Sequence, residues 1–563
     1  MNVMKFSEYT YVRVDVEKVR ADYAALTERV QNACTAEDVF ACVEEHEKIA
    51  KHVGTMLTIA NIRNTIDTRD PFYEAEKAFI DENGPLLDEA SQRFMRALCE
   101  SSFRPALEGK YGRLLFLNIE LELKTFKPEI IELLQEENAL TTAYTKLIAG
   151  ARIPFDGKEL TIAQLGPYKI DPDRATRRAA YCAEGAFIRA NGDELDEIFD
   201  KLVSVRTKIA EALGEKSFVE VAYNRNLRNC YAKKDVEAFR AQVVRDIVPI
   251  VETLKKRQSD KIGVPDMKLY DQNFFDKDGN AKPEGASEEI LAAGRRMYRE
   301  MSPKTAAFID FMFENELFDV LAKEGKAAGG YCTMLYAYKA PFIFSNFNGT
   351  SGDVDVLTHE AGHAFAFYES RNQPLAEYVS PTSEACEVHS MSMEFFCWKY
   401  LDYFYGAQTK KAKLQHLTDA LIFLPYGTMV DHFQHIVYEN PSLTPAERNA
   451  EWLRLEKIYR PFMDASGVPG YEDGRLWQRQ LHIYLNPFYY IDYCLAQTVS
   501  LQFWALLQAD YAAAFEKYLA FLEQGGRMTF TELCEAGQVT SPFAEGATKQ
   551  VVSAAEEWLA AND

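Results

Sequence analysis

The sequence predicts a mostly α-helical protein carrying one or two small β pieces. Three observations predict this. Long stretches place apolar residues three and four apart with charges between them. Two short segments break that habit with aromatic, Gly- and Pro-bounded runs. No fixed-period repeat or low-complexity linker interrupts the chain.

Taken in order, helical patterning covers Val16 to Ala33, Ala36 to Ile59 and Tyr73 to Glu100. It returns from Asp171 to Leu213, from Lys234 to Arg257 and from Ser287 to Leu321. The first break, Ala151-Arg-Ile-Pro-Phe-Asp-Gly-Lys-Glu-Leu, centres on Asp156-Gly157 between apolar runs and predicts a hairpin. The second runs from Gly329 to Gly349 and predicts a small sheet just before a helix that starts near Ser351 or Asp353. Pro341 at the start of its last strand is tolerable on a sheet edge. From Ala364 onward the pattern is helical, with breaks near Pro374, Pro425, Pro441, Pro461, Pro469 and Pro487. We divide the chain into an N-terminal helical lobe, 1–190, and a second domain, 191–563, that holds the motif described below.

The 563 residues suffice for two large domains. Hydrophobic (47%) and charged (26%) fractions are those of a globular protein, not a disordered one. The formal charge of −22 excludes the basic footprint of a nucleic-acid binder and mildly favours cationic ligands. No run approaches 18 apolar residues and the N-terminus has no apolar signal core, so a cytoplasmic protein free of membrane is expected. Ten scattered cysteines without a CxxC fit reduced thiols.

The chemistry concentrates in His359-Glu-Ala-Gly-His363. On a helix, His359 and His363 lie one turn apart on one face and can reach one ion. Glu360 is rotated about 100° away, beside that ion, where it suits a general base. Leu357, Ala361, Ala364, Phe365 and Tyr368 give the helix an apolar face. Gly362 costs about 1 kcal/mol relative to Ala in a helix interior, which points to close packing beneath it. A hydrolytic zinc site needs a third protein ligand and an open position. The next helix, Pro381 to Phe396, offers Glu384, Glu387 and Glu394 on one face. His389 points away from them. Spacing alone does not separate Glu384 from Glu387.

HEAGHAF followed by PTSEACEVHSMSMEFF resembles the thimet oligopeptidase and oligoendopeptidase F family of zinc metallopeptidases, and the bacterial oligoendopeptidases most closely. The resemblance implies Glu387 as third ligand to one Zn²⁺, with Glu394 behind the ligands. Arg479 to Tyr493 looks like the family's His/Tyr-rich segment, which implies His482 and Tyr489 as donors to the tetrahedral intermediate. Tyr490 and Tyr493 compete for the second role. Pro341 to Gly349 resembles the strand along which family members lay the substrate backbone. The implied fold is two helical lobes around a deep substrate channel, with the small sheet beside the HExxH helix. The implied activity is endopeptidase cleavage of short oligopeptides, with Glu360 as general base. A zinc carboxypeptidase of similar architecture and an inert peptide-binding scaffold are the rival readings. Asp431-His-Phe-Gln-His435 has no third ligand and reads as structural. His46, His52 and His416 lie in charged helical stretches and read as surface residues.

Overall fold

The computed structural model describes residues 4–327 and 329–562. Its first helices are α1 (Val16–Gln31), α2 (Ala36–Ile66) and α3 (Pro71–Glu100). Asp15, Thr35 and Asp70 cap their starts by accepting backbone N–H groups. Later come the hairpin strands β1 (Ile153–Phe155) and β2 (Lys158–Leu160) and the sheet strands β3 (Phe318–Leu321), β4 (Tyr331–Leu335) and β5 (Ala340–Phe347). Two further helices carry the motif region, α4 (Ser351–Ser370) and α5 (Ser383–Phe396). The mostly helical class with small sheets is therefore as expected.

The chain forms two compact units, each assembled from three stretches. One unit comprises the chain up to Leu123 with Lys282–Thr409 and Leu506–Val539. The other comprises Lys124–Ala281, Lys410–Ala505 and the chain from Thr540 onward. Residues 124–190 thus pack with the second unit, and 282–409 with the first.

Within the first unit, β3, β5 and β4 form one sheet in that order. β5 pairs parallel with β3 and antiparallel with β4. The strand beginning at Pro341 is therefore central, not an edge. Ile343 N–H donates towards the β3 side, to Leu317 O at 3.0 Å. Backbone groups alternate along a strand, so Pro341 also faces that side, beyond the end of β3, where its missing N–H breaks no ladder bond. By the same alternation, Cys332 and Met334 of β4 turn their backbone groups away from β5. The sheet's two edges are β3 and β4, and β4 is the edge that packs on the helix following β5. The sequence reading missed β3 because Phe318-Asp-Val-Leu is a four-residue run at the end of a helical pattern, where periodicity cannot separate strand from helix. Ser302-Pro303 also splits that pattern into Ser287–Met301 and Pro303–Glu314, with Ser302 capping the second helix.

The second unit contains the hairpin. Asp156 and Gly157 have φ of 50° and 71°, the left-handed pair that a type I′ turn requires. Its core stacks Phe199, Phe433, Trp477 and Tyr484. Pro425 does not break the chain here: it lies buried inside the continuous helix Thr409–Glu439, where core packing overrides the lost ladder bond. The fully buried Arg206 donates to Glu137 Oε1, Tyr438 OH and Tyr484 O at 2.6–2.7 Å, so its charge is matched on all sides. His435 lies between Arg240, Asp431 and Tyr223, and His432 lies 3.0 Å from Tyr459 OH. Burial, aided by Arg240, pushes the His432 pKa down to about 4 from its ordinary 6.5. A histidine held neutral in the fold gives up stability as pH falls from 6.5 towards 4, because the unfolded chain takes up the proton first. His432→Phe should flatten the urea-unfolding free energy across that window. An unchanged acid slope would place its cause elsewhere.

None of the ten cysteines forms a disulfide. Among the described residues no helix is long and apolar enough to cross a membrane.

Candidate active site

α4 starts at Ser351, with Thr350 rather than Ser351 or Asp353 in the capping position. Asp353 instead holds the turn from β5 into α4. Its carboxylate accepts N–H groups from Asn348 and Gly349, at 2.9 and 2.6 Å to Oδ2. The helix packs on β5 and β4 and lies alongside α5. Gly362 allows that contact. A Cβ there would stand 2.7 Å from both His389 O and Ser390 Cα, so only glycine lets the two helices approach this closely.

The contact brings three ligand atoms together. Glu387 Oε2 lies 3.4 Å from His359 Nε2 and 3.5 Å from His363 Nε2. Donor atoms of all three residues fall within 4.8 Å of one another. Glu394 Oε1 lies 2.7 Å from His359 Nδ1. An ionised carboxylate only accepts, so Nδ1 carries the proton and the Nε2 lone pair faces Glu387. A lone pair facing a carboxylate across 3.4 Å is repulsive unless a cation, or a second proton on Nε2, sits between them. Two imidazoles and one carboxylate are a donor set that suits zinc. Burial would lower the His359 pKa, but Glu387 and Glu394 hold it well above the usual histidine range. Burial would raise Glu387, but the two imidazoles hold it below the usual carboxylate range. Both shifts express the same demand for positive charge at this point.

Glu360 is half-buried beside the trio. Burial raises its pKa, and the two imidazoles oppose that rise only in part. Cys332 of β4 is a neighbour: burial first, then the Glu360 charge, pushes its thiol well above the ordinary value. The side chain next to the His359–His363–Glu387 trio thus also adjoins an edge strand. Glu384 is buried on the same helix but does not join the trio. His389 is buried against Phe521 and holds no ligand position; burial takes its pKa down to about 3.

His482 and the three tyrosines belong to the second unit and form one aromatic cluster there. The His482 ring stacks 6.0 Å from Tyr489 and meets Tyr490 and Tyr493 edge-on at 4.9 and 5.8 Å. Gln480 Nε2 lies 2.9 Å from His482 Nδ1. Tyr490 is boxed by Phe423, Tyr426 and Tyr493, and burial raises its pKa well above the usual value.

Residues 6–126 match the peptidase M3 N-terminal domain, and residues 306–552 match peptidase family M3. PZ peptidase A, solved with an inhibitor, is 48% identical to this chain, covers 99% of each chain and superposes with a TM-score of 0.95. The chain belongs to peptidase family M3. A Bacillus anthracis str. Ames structure named for oligoendopeptidase F is 44% identical over 100% of this chain and 99% of that one, with a TM-score of 0.90. An oligoendopeptidase F homolog of Lactococcus lactis subsp. lactis is 22% identical over 346 residues, 54% of this chain and 54% of that protein. The match thus spans about half the length of that curated relative. All ligand candidates of the M3 chain, His359, His363 and Glu387, lie inside the 306–552 match, as do Glu360, His482 and Tyr489.

The position of Glu394 gives this site a direct test. Glu394→Ala removes the acceptor that fixes the His359 tautomer, and losses of this kind typically cost about 10–100-fold in metal affinity. Competition with a chromophoric chelator should register that loss. Wild-type affinity would mean that His359 is oriented by something else.

Proposed function

We propose that this M3 peptidase is a zinc-dependent endopeptidase of short oligopeptides. The observation that carries the proposal is the His359–His363–Glu387 trio, with Glu360 beside it and the β4 edge next to Glu360. His359, His363 and Glu387 would hold one Zn²⁺. When bound, the ion supplies Lewis acidity that lowers the pKa of a water and polarises the scissile carbonyl. Glu360 takes the attacking water's proton and delivers it to the leaving amine. The raised pKa of Glu360 suits both halves of that transfer, since a base must also give the proton back. Glu394 keeps the proton of His359 on Nδ1.

The substrate backbone runs along β4, where the Cys332 and Met334 N–H and C=O groups face outward and can take an added strand. This replaces the Pro341–Gly349 strand of the sequence reading, which is occupied on both sides. The family resemblance implies His482 and Tyr489 as donors to the oxyanion. Tyr490 is the weaker candidate, because its ring is enclosed by three others in its own unit.

Digestion of peptides blocked at both ends, read by mass spectrometry with and without a chelator, tests this reading. Internal cleavage that stops on chelation and returns with Zn²⁺ is expected. Release of C-terminal residues only, from unblocked peptides, would replace endopeptidase with carboxypeptidase. Undiminished cleavage in chelator would remove the metal from the mechanism.

A further inference from the structure

The first unit holds a second set of one imidazole and two carboxylates. His46 reads as a surface residue in the sequence, yet only 3% of it is exposed. It falls on the buried stripe of α2 with Val39, Cys42 and Val43. Its ring packs on Phe94 at 5.0 Å, and its Nδ1 lies 3.1 Å from Tyr23 OH. These contacts fix where its other nitrogen points. His46 Nε2 has no hydrogen-bond partner and faces Glu377 Oε1 at 3.7 Å and Glu47 Oε1 at 4.0 Å.

Glu47 is 7% exposed. Its Oε2 accepts the Ala376 N–H at 2.9 Å and pairs with Lys51 Nζ at 3.0 Å. Its Oε1 is buried without a hydrogen-bond partner. Glu377, with 35% of its side chain exposed, opens this cluster towards solvent. One donor atom from each of the three residues falls within 4.8 Å of the others.

Two features set this cluster apart from an acidic patch. First, two of its three inward atoms, His46 Nε2 and Glu47 Oε1, are buried and reach partners only at 3.7–4.0 Å, beyond hydrogen-bond distance, and a buried polar group left without a hydrogen bond costs about 1–3 kcal/mol unless something partners it. Second, its separations exceed the roughly 2.7–3.2 Å of hydrogen bonds and approach the spacing of ligands around one ion. Bonds of about 2.1 Å in a tetrahedral arrangement hold ligand atoms roughly 3.3–3.6 Å apart. The HExxH trio shows 3.4 and 3.5 Å. Small side-chain shifts, of Glu377 by a few tenths of an ångström and of Glu47 by about half an ångström, bring the second set to the same spacing.

We propose that His46, Glu47 and Glu377 form a second divalent-cation site, distinct from the HExxH site. An imidazole among two carboxylates selects a transition ion of the Zn²⁺ or Mn²⁺ kind over Ca²⁺ or Mg²⁺, which favour oxygen alone. Water fills the remaining positions from the Glu377 side. The site joins α2 to the segment between α4 and α5, the two helices that carry His359, His363 and Glu387. That segment is already held to α2 by Lys51, which donates to Pro374 O at 2.9 Å, and by the Ala376–Glu47 hydrogen bond. The ion is thus a structural tie at the root of the Glu387 helix.

The test uses the full chain loaded with Zn²⁺ alone, freed of excess metal by gel filtration and analysed by elemental mass spectrometry. Two ions per wild-type chain are expected. His46→Gln and Glu377→Gln should each hold one, and His359→Ala/His363→Ala should also hold one. Wild-type crystals should give anomalous zinc peaks at both sets of residues. A single ion per wild-type chain, with one peak at His359, His363 and Glu387, overturns the proposal. So does a Glu377→Gln chain that still holds two. If His46→Gln fails to fold, the Glu377 variant and the wild-type anomalous map decide the matter without it.

Discussion

Glu360→Gln should keep its metal and lose at least about 10³-fold in kcat, the upper part of the range for general acid–base catalysis. The amide has the shape of the carboxylate but cannot accept a proton from water. Glu360 is not one of the three grouped ligands, so ion content should stay at the wild-type level. KM should change little, because the substrate backbone is proposed to be held by β4 rather than by this side chain. The combination is diagnostic. Loss of both metal and turnover would make Glu360 a ligand, and full turnover would end its role as base. Burial raises the Glu360 pKa, so the variant also removes a carboxylate that the fold holds at a cost. Its thermal stability should therefore equal or exceed that of the wild type.

The sequence revealed those features that depend on spacing along one element. The helical class follows from three- and four-residue periodicity, and Asp156-Gly157 specified the hairpin by turn chemistry alone. His359, Glu360 and His363 are local in the same sense. Glu387 is not: only tertiary packing brings α5 against α4, and no helical periodicity could separate it from Glu384. β3 was hidden because four residues are too few for a period to declare itself. Missing it also cost the sheet order, and with it the identity of the two edge strands.

His46 illustrates a signal that was present but masked. Glu44, Glu45, Glu47 and Lys48 surround it and suggest a solvated face. Yet Val39, Cys42, Val43 and His46 follow the i, i+3, i+4, i+7 stripe of a buried helix face. Charge density in a stretch describes its exposed side and says nothing about the side that faces the core.

Gly362→Ala sets two effects against each other. In an exposed helix interior, alanine is favoured over glycine by about 1 kcal/mol. At Gly362 the new Cβ would meet His389 O and Ser390 Cα at 2.7 Å and Met393 Cβ at 3.0 Å. Two of these atoms are backbone, so no rotamer relieves the clash and α4 must move away from α5. Overpacking of this kind costs about 1–3 kcal/mol, which exceeds the propensity gain. The displacement also separates His359 and His363 from Glu387, since one set of ligands rides on each helix. We expect lower thermal stability in the metal-free protein and metal affinity weakened by at least about tenfold, in line with a ligand set held off its geometry. Gly109, exposed in the helix Arg104–Tyr111, provides the control, because nothing lies within 4 Å of a Cβ there. Gly109→Ala should raise stability by up to about 1 kcal/mol and leave metal binding unchanged. If both alanines stabilised the chain equally, the close approach of α4 and α5 at Gly362 would not be what holds the ligands together.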